Sequence, residues 1–219
     1  NPALNNDTFT QAYSAPGTGM TIEGTVNKSL LMVFLVSAVA GIAWNTVPAE
    51  YMGSIAIVAS LAALALGLVT IGVKSVSPYT TPVYVIIQGV MLGSISRLME
   101  QAFPGIILQA IMLTFGVLFS LLLMYRSGLI KVTQNFRLGV FAATAAIMLI
   151  YMINFILRLF GTTIPYIHES GVIGIGFSVF VVIIASLNLV LDFDFIEHGA
   201  EAHAPKYMEW YCTFGLMVT

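Results

Sequence analysis

Charged side chains are scarce in this chain of 219 residues. Asp, Glu, Lys and Arg together make up 8% of it, against about 25% in a typical soluble domain. The formal net charge is −2, and no cluster of Lys and Arg forms a basic patch. A nucleic-acid partner is therefore not expected, because such proteins carry a basic surface that neutralises phosphates.

Cysteine and catalytic motifs are also lacking. The single cysteine, Cys212, excludes an intrachain disulfide framework and a cysteine-based metal site. The chain contains no G-x-S-x-G, H-E-x-x-H or P-loop sequence, each of which would indicate a particular chemistry. His198 and His203 lie beside acidic residues, and we interpret them as a solvated cluster rather than a metal site. We expect no enzyme activity, no catalytic residue, no cofactor and no bound metal.

Long apolar runs dominate what is present. Hydrophobic residues make up 58% of the chain, in blocks near the roughly 20 residues that a helix needs to cross a bilayer. Helices satisfy every backbone polar group within one segment, as the lipid core requires. The sequence predicts an all-α polytopic membrane protein, a helical bundle with six complete transmembrane helices and the start of a seventh. The predicted spans are about 28–46, 52–73, 82–100, 104–126, 138–160 and 171–192.

The two ends of the chain differ from these spans. Residues 1–27 are polar and show no signal peptide, so we predict a polar N-terminal tail followed by a single transmembrane bundle over 28–219. Residues 207–219 become apolar again but are too few to span a bilayer. We expect a seventh helix to begin there and to continue past Thr219. The alternative is a short interfacial segment.

Basic residues predict the orientation. Short cytoplasmic loops carry an excess of Lys and Arg. The side that holds the N-terminus has six of them: Lys28, Lys74, Arg126, Lys131, Arg137 and Lys206. The opposite side has two, Arg97 and Arg158. The N-terminus is therefore predicted to be cytoplasmic.

An acidic cluster closes the sixth span. Carboxylates at membrane depth are costly and are functional candidates by default. Asn188 precedes Asp192 by four residues and shares its helix face, so we predict that Asp192 faces inward as an ion-pathway or pH-sensing residue. Asp194 is a weaker candidate for the same role, since we expect it to face the headgroup region with Glu197 and His198. The alternative is that the whole cluster only marks the helix end.

Other polar residues lie within the predicted spans. We consider Gln88, Arg97, Glu100 and Asn154 as a possible polar seam. Interfacial snorkelling of Arg97 and interhelical hydrogen bonding of the uncharged residues are the alternatives. Gly89 and Gly93 form a G-x-x-x-G, which we interpret as packing inside the bundle rather than as a homodimer face.

Several runs resemble the bacterial YccA-like branch of the Bax inhibitor (transmembrane Bax inhibitor motif) family. They cover nearly the whole chain. The runs are Asn1-Pro-Ala-Leu, Met20-Thr-Ile-Glu-Gly-Thr-Val-Asn-Lys28, Met91-Leu-Gly-Ser-Ile-Ser-Arg97-Leu-Met-Glu100, Pro104-Gly-Ile-Ile-Leu-Gln-Ala-Ile-Met-Leu-Thr-Phe-Gly116 and Ala185-Ser-Leu-Asn-Leu-Val-Leu-Asp192-Phe-Asp194.

The resemblance implies six helices around a central seventh in a bacterial inner membrane. It also implies a pH-sensitive calcium leak, with calcium as the transported ion, gated by an acid on helix six and another on helix seven. The helix-six acid matches Asp192, and the second is expected beyond Thr219. A basic latch near the end of helix two matches Lys74 loosely.

Two functions are compatible with the sequence. One is a pH-sensitive calcium-leak channel gated by protonation of Asp192. The other is a non-transporting membrane protein, either a modulator or substrate of the membrane protease FtsH, which the resemblance implies as a partner, or an accessory subunit of a membrane complex. The polar tail would suit capture by a protease.

Overall fold

Helices account for nearly all of the described structure. The computed structural model describes residues 19–127, 129–130, 132–162 and 171–219. The α-helices in these ranges are α1 (Ile22–Thr46), α2 (Met52–Gly72), α3 (Ser77–Ala102), α4 (Ile106–Arg126), α5 (Gln134–Leu159), α6 (Val172–Glu201) and α7 (Met208–Val218). Short 3-10 turns, Ala49–Tyr51 and Lys74–Val76, precede α2 and α3. The predicted all-α class is confirmed.

Six of these helices, α1 to α6, are long and apolar enough to cross a membrane. Large apolar side chains such as Phe34, Leu108 and Ile173 are exposed on them. In water such a surface would be unfavourable, whereas lipid tails can contact it directly. The protein is therefore a multi-pass membrane protein whose helices contact the bilayer.

Several helix boundaries differ from the sequence prediction. Helix α1 begins six residues earlier, because Thr21 caps it by accepting a hydrogen bond from the Gly24 amide. Helix α3 begins at Ser77, with Pro78 in its first turn, and Pro82 lies inside the helix rather than opening it. Residues 1–18 of the predicted tail over 1–27 lie outside the described residues, as do residues 163–170. Residues 22–27 of that tail belong to α1.

The end of α6 differs most. The sequence predicts that the sixth span ends at Asp192. The structure continues the helix for nine more residues, to Glu201. Acidic residues do not by themselves end a helix, because Glu is a good helix former and Asp costs at most about 0.7 kcal/mol relative to Ala. The acidic cluster is therefore helical throughout.

By proximity, the described residues form two compact units. The first, which we call the α1–α3–α7 unit, comprises residues 19–116 and 194–218. The second, the α5–α6 unit, comprises residues 117–193. Helix α6 belongs to the second unit up to Phe193 and to the first from Asp194.

In the α1–α3–α7 unit, α3 packs against α1 and α2, and α7 packs against α1 and α3. The two glycines of α3 allow the close approach to α1. A Cβ atom on Gly93 would lie 2.3 Å from the carbonyl oxygen of Ala40, and one on Gly89 would lie 2.8 Å from the Val39 Cβ. The G-x-x-x-G thus packs within the chain, as we interpreted from the sequence.

The short helix α7 lies in the core of this unit. Its buried residues include Met208, Tyr211, Cys212 and Phe214. The Phe214 ring meets Tyr84 of α3 edge to face, with centroids 5.0 Å apart. The prediction that a seventh helix begins near residue 207 is confirmed.

Two aromatic pairs pack within the α5–α6 unit. The Tyr151 ring of α5 lies 6.1 Å from Phe177 of α6, and the Tyr125 ring of α4 lies 6.1 Å from Phe193. These distances suit aromatic pairs.

Candidate functional site

Asp192 lies in the protein interior. The residue is 0% exposed on α6. One turn earlier, the Asn188 side chain donates from Nδ2 to the Thr144 hydroxyl on α5 at 2.9 Å and to the Ile184 carbonyl at 2.9 Å. A buried amide and a buried carboxylate thus share one stretch of α6. The pathway or sensor role of Asn188 and Asp192 stays a prediction.

Asp194 is buried too, which corrects the expectation that it faces the headgroup region. It is 7% exposed, and it does not lie at the end of the helix, because α6 continues to Glu201. The His198 Nδ1 lies 2.8 Å from the Asp194 carbonyl oxygen and 3.5 Å from its carboxylate Oδ2. His198 itself is exposed, as expected from the sequence.

Lys74, the possible latch, contacts α7. Its ammonium nitrogen lies 5.9 Å from the centre of the Tyr211 ring, within the range of a cation–π interaction. The latch role is not tested by this contact, but the residue does lie beside the seventh helix.

The four residues of the possible polar seam have different neighbours. Arg97 donates from Nη1 to the carbonyls of Trp44, at 2.6 Å, and Val47, at 3.1 Å, at the C-terminal end of α1. Such a cation satisfies carbonyls that the helix leaves without partners. Asn154 is buried on α5 in the other unit.

Glu100 makes the complementary contact at a helix start. Its carboxylate accepts hydrogen bonds from the amides of Gly105, at 2.6 Å, and Ile107, at 3.3 Å. These amides open α4, where a negative charge is favourable. The contacts described for Arg97 and Glu100 are therefore those of helix caps, and the polar seam stays a prediction.

Three polar side chains of α3 point at α7 instead. Each donates a hydrogen bond to a backbone carbonyl of the α7 segment: Ser77 to Tyr207 at 3.1 Å, Thr81 to Trp210 at 3.2 Å and Gln88 to Met217 at 3.1 Å. On the α1 side, the Thr213 hydroxyl of α7 lies 3.2 Å from the Ser29 hydroxyl. Polar contacts therefore hold α7 from both neighbours.

Glu209 is the residue that the sequence analysis missed. It is 0% exposed in the first turn of α7. Its carboxylate lies 2.5 Å from the Lys28 ammonium and 2.6 Å from the Lys206 ammonium. It also accepts from the Thr21 amide at 2.9 Å and the Thr21 hydroxyl at 3.0 Å. We call Glu209, Lys28, Lys206 and Thr21 the Glu209 cluster.

Charge pairing decides the ionisation of this carboxyl, which lies outside the six spanning helices. Burial would raise the pKa of Glu209, but hydrogen bonds from Lys206 and Lys28 outweigh it and lower the pKa from 4.5 to about 2. The carboxylate is thus ionised at any physiological pH. It is the one acid in α7 as described, and because two lysines hold it we do not assign it as the helix-seven acid of a proton-gated pair.

A glycine makes room for the cluster. A Cβ atom on Gly24 of α1 would lie 2.2 Å from the Glu209 Oε1. The sequence offers a faint signal for this site, namely an acid inside an otherwise apolar segment with Lys206 three residues before it. Its partner Lys28 is 181 positions away, and no spacing pattern relates the two.

Among the residues with described positions, no group of three or more His, Cys, Asp or Glu side chains could hold a metal ion. The whole chain, residues 1–219, matches the family model described as Bax inhibitor 1 like. Comparison with curated proteins and with solved structures found no match.

Proposed function

The chain belongs to the Bax inhibitor 1-like family, and from this premise we propose that it provides a pH-sensitive calcium leak controlled by protonation of Asp192. The observation that carries the proposal is the complete burial of this carboxyl on a helix long enough to span a membrane. A buried acid in such a helix is costly, so its presence indicates a role in an ion or proton pathway.

A carboxyl group can bind either calcium or a proton. Calcium prefers oxygen ligands, and an ionised carboxylate supplies two of them with a negative charge. When a proton occupies the group, the charge disappears and the group can instead donate a hydrogen bond. Protons and calcium would therefore compete at Asp192, which makes the leak depend on pH. Asp194 and Asn188 add buried polar groups within one turn of it.

The proposal includes a location. The excess of basic residues on one side supports a cytoplasmic N-terminus, and the family resemblance of the sequence supports a bacterial inner membrane. With that orientation, Asp192 lies near the cytoplasmic end of α6. Lys74 would act on the same side, through its contact with Tyr211.

The test is calcium flux into proteoliposomes loaded with a calcium-sensitive dye, measured from pH 5 to pH 8. Asp192→Asn removes the titrating group with little change in volume, so its flux should lose the pH dependence of the wild type. Glu197→Gln is the matched control, since Glu197 lies on the same helix but is partly exposed, and it should retain that dependence.

Two results would overturn the proposal. One is an unchanged pH profile in Asp192→Asn. The other is wild-type protein that is folded and inserted but passes no calcium. If that inactive protein also captured a stoichiometric partner from native membranes, the chain would instead be a non-transporting partner protein.

A further inference from the structure

The Glu209 cluster joins the start of α7 to the start of α1. We propose that it is a two-state ionic clamp. With its ion pairs formed, the cluster holds α7 between α1 and α3, and when they break, α7 leaves this position as a unit. Nothing in this inference depends on calcium conduction, since it concerns the position of one helix.

The charge of Glu209 is buried. Glu209 is fully enclosed, and its four hydrogen bonds come from groups on α1, on the residue before α1 and on the segment before α7. A buried charge that loses its partners is strongly destabilised. Glu209 therefore has two acceptable environments, the complete cluster and water.

The position of the Glu209 side chain is coupled to the position of α7. Glu209 lies in the first turn of α7, and the next residues, Tyr211 to Gly215, are buried. If the carboxylate moves into water, the turn that carries it must leave its place as well. The hydrogen bonds from Ser77 and Thr81 to the carbonyls of Tyr207 and Trp210 would break in the same movement.

Backbone contacts also connect the segments that precede α1 and α7. The Met20 amide donates to the Ala204 carbonyl at 2.6 Å, and Gly19 forms a bridge with Pro205. The segments that precede α1 and α7 are thus paired directly beside the cluster. Both the ionic and the backbone contacts must be given up together, which favours a cooperative change over a gradual one.

The two lysines are not equivalent. The Lys206 side chain is 60% exposed, whereas that of Lys28 is 22% exposed and lies 5.5 Å from the centre of the Trp210 ring. Water already solvates Lys206, so its loss removes less from the cluster. Lys28 is the partner that the buried carboxylate depends on more.

The single cysteine is a built-in reporter of this movement. Cys212 is buried three residues after Glu209. The rate at which N-ethylmaleimide modifies it, in protein reconstituted in nanodiscs and without calcium, measures how often α7 leaves its place. The wild type should react slowly.

Glu209→Gln should increase the labelling rate about tenfold or more, a change that corresponds to about 1.4 kcal/mol. Lys28→Met should give a larger increase than Lys206→Met. Glu197→Gln, which removes a carboxylate from α6 instead, should leave the rate unchanged. Helix content by circular dichroism should stay constant in all four variants, which separates release of α7 from global unfolding.

A wild-type labelling rate in folded Glu209→Gln would overturn the proposal. If that variant does not accumulate, Lys206→Met carries the test, because its exposed side chain can be removed with least effect on folding. An unchanged rate in Lys206→Met, or an equal rate in both lysine variants, would then be the contradicting result. Calcium flux is not measured, so these outcomes are independent of those for Asp192.

Discussion

The ammonium group of Lys28 lies 2.5 Å from the carboxylate of Glu209, although 181 positions separate the two residues along the chain. The pair connects the second turn of α1 with the first turn of α7. Only 8% of the residues in this chain are charged, so an ion pair between two distant helices is a distinctive contact. It also makes the stability of α7 depend on the ionisation of one acid.

The first prediction concerns the stability of the protein at low pH. The pKa of Glu209 is lowered from 4.5 to about 2 in the folded protein, so the unfolded chain binds the proton more readily. The resulting stabilisation is fully present above pH 4.5 and is lost as the pH falls towards about 2. At neutral pH it amounts to about 3 kcal/mol.

The measurement is thermal unfolding in detergent between pH 3 and pH 7. The wild type should lose stability below pH 4.5, and Glu209→Gln should lose clearly less over the same interval. Parallel curves for the two proteins would show that other acids, and not Glu209, are responsible.

The second prediction concerns Gly24. Alanine there would place a Cβ atom 2.2 Å from the Glu209 Oε1, and the carboxylate could avoid it only by giving up hydrogen bonds. Gly24→Ala should therefore lower the unfolding temperature, even though alanine favours a helix by about 1 kcal/mol. Gly41→Ala on the same helix has open space at its Cβ and should be neutral or stabilising. A stabilised Gly24→Ala would contradict the observed packing.

The third prediction concerns the contact between α1 and α3. Gly93→Ala would force its Cβ to 2.3 Å from the Ala40 carbonyl oxygen, and a backbone atom cannot move aside as a side chain can. We expect a loss of about 1–3 kcal/mol, read from unfolding by a denaturing detergent. Gly116→Ala, with nothing near its Cβ, serves as the control and should show no such loss.

The fourth prediction concerns the hydrogen bond from Asn188 to Thr144. A double-mutant cycle with Asn188→Ala and Thr144→Val should give a coupling energy of about 0.6 kcal/mol, and at most about 1.7 kcal/mol, which is the range for interhelical side-chain bonds in membrane proteins. Strictly additive single effects would mean that the bond does not stabilise the α5–α6 contact.

The fifth prediction concerns Arg97, which donates to two carbonyls at the end of α1. Removal by Arg97→Met should cost about 1.5–3 kcal/mol, as expected for hydrogen bonds to a charged group. Arg158→Met, at an exposed position on α5, should cost little. Equal losses in the two variants would argue against the cap.

The sequence predicted the helices well because each depends on a local property. An apolar run of the right length is sufficient to identify a span such as 52–73, which differs from the observed α2 by one residue. The interior position of Asp192 is also local, since it follows from Asn188 one turn earlier. Family resemblance added the expectation that the seventh helix lies at the centre of the other six.

The contacts that depend on distant residues could not be predicted in the same way. Asp194 was expected to face headgroups because acidic residues usually mark a helix end, yet α6 continues to Glu201. Glu209 belongs to no motif or spacing that singles it out in the sequence. Its burial depends on Lys28 and Gly24, which only the packing of α7 against α1 brings to it.

The space that Gly24 leaves for Glu209 has an evolutionary consequence. The residues at positions 24, 28 and 209 should covary. A side chain at 24 displaces the carboxylate, and a neutral residue at 28 leaves it without a counter-charge. Among homologous chains, we expect the three positions to change together or not at all. A lineage that lost the acid would be free to place alanine at 24 and an apolar residue at 28, and its seventh helix would need another means of attachment.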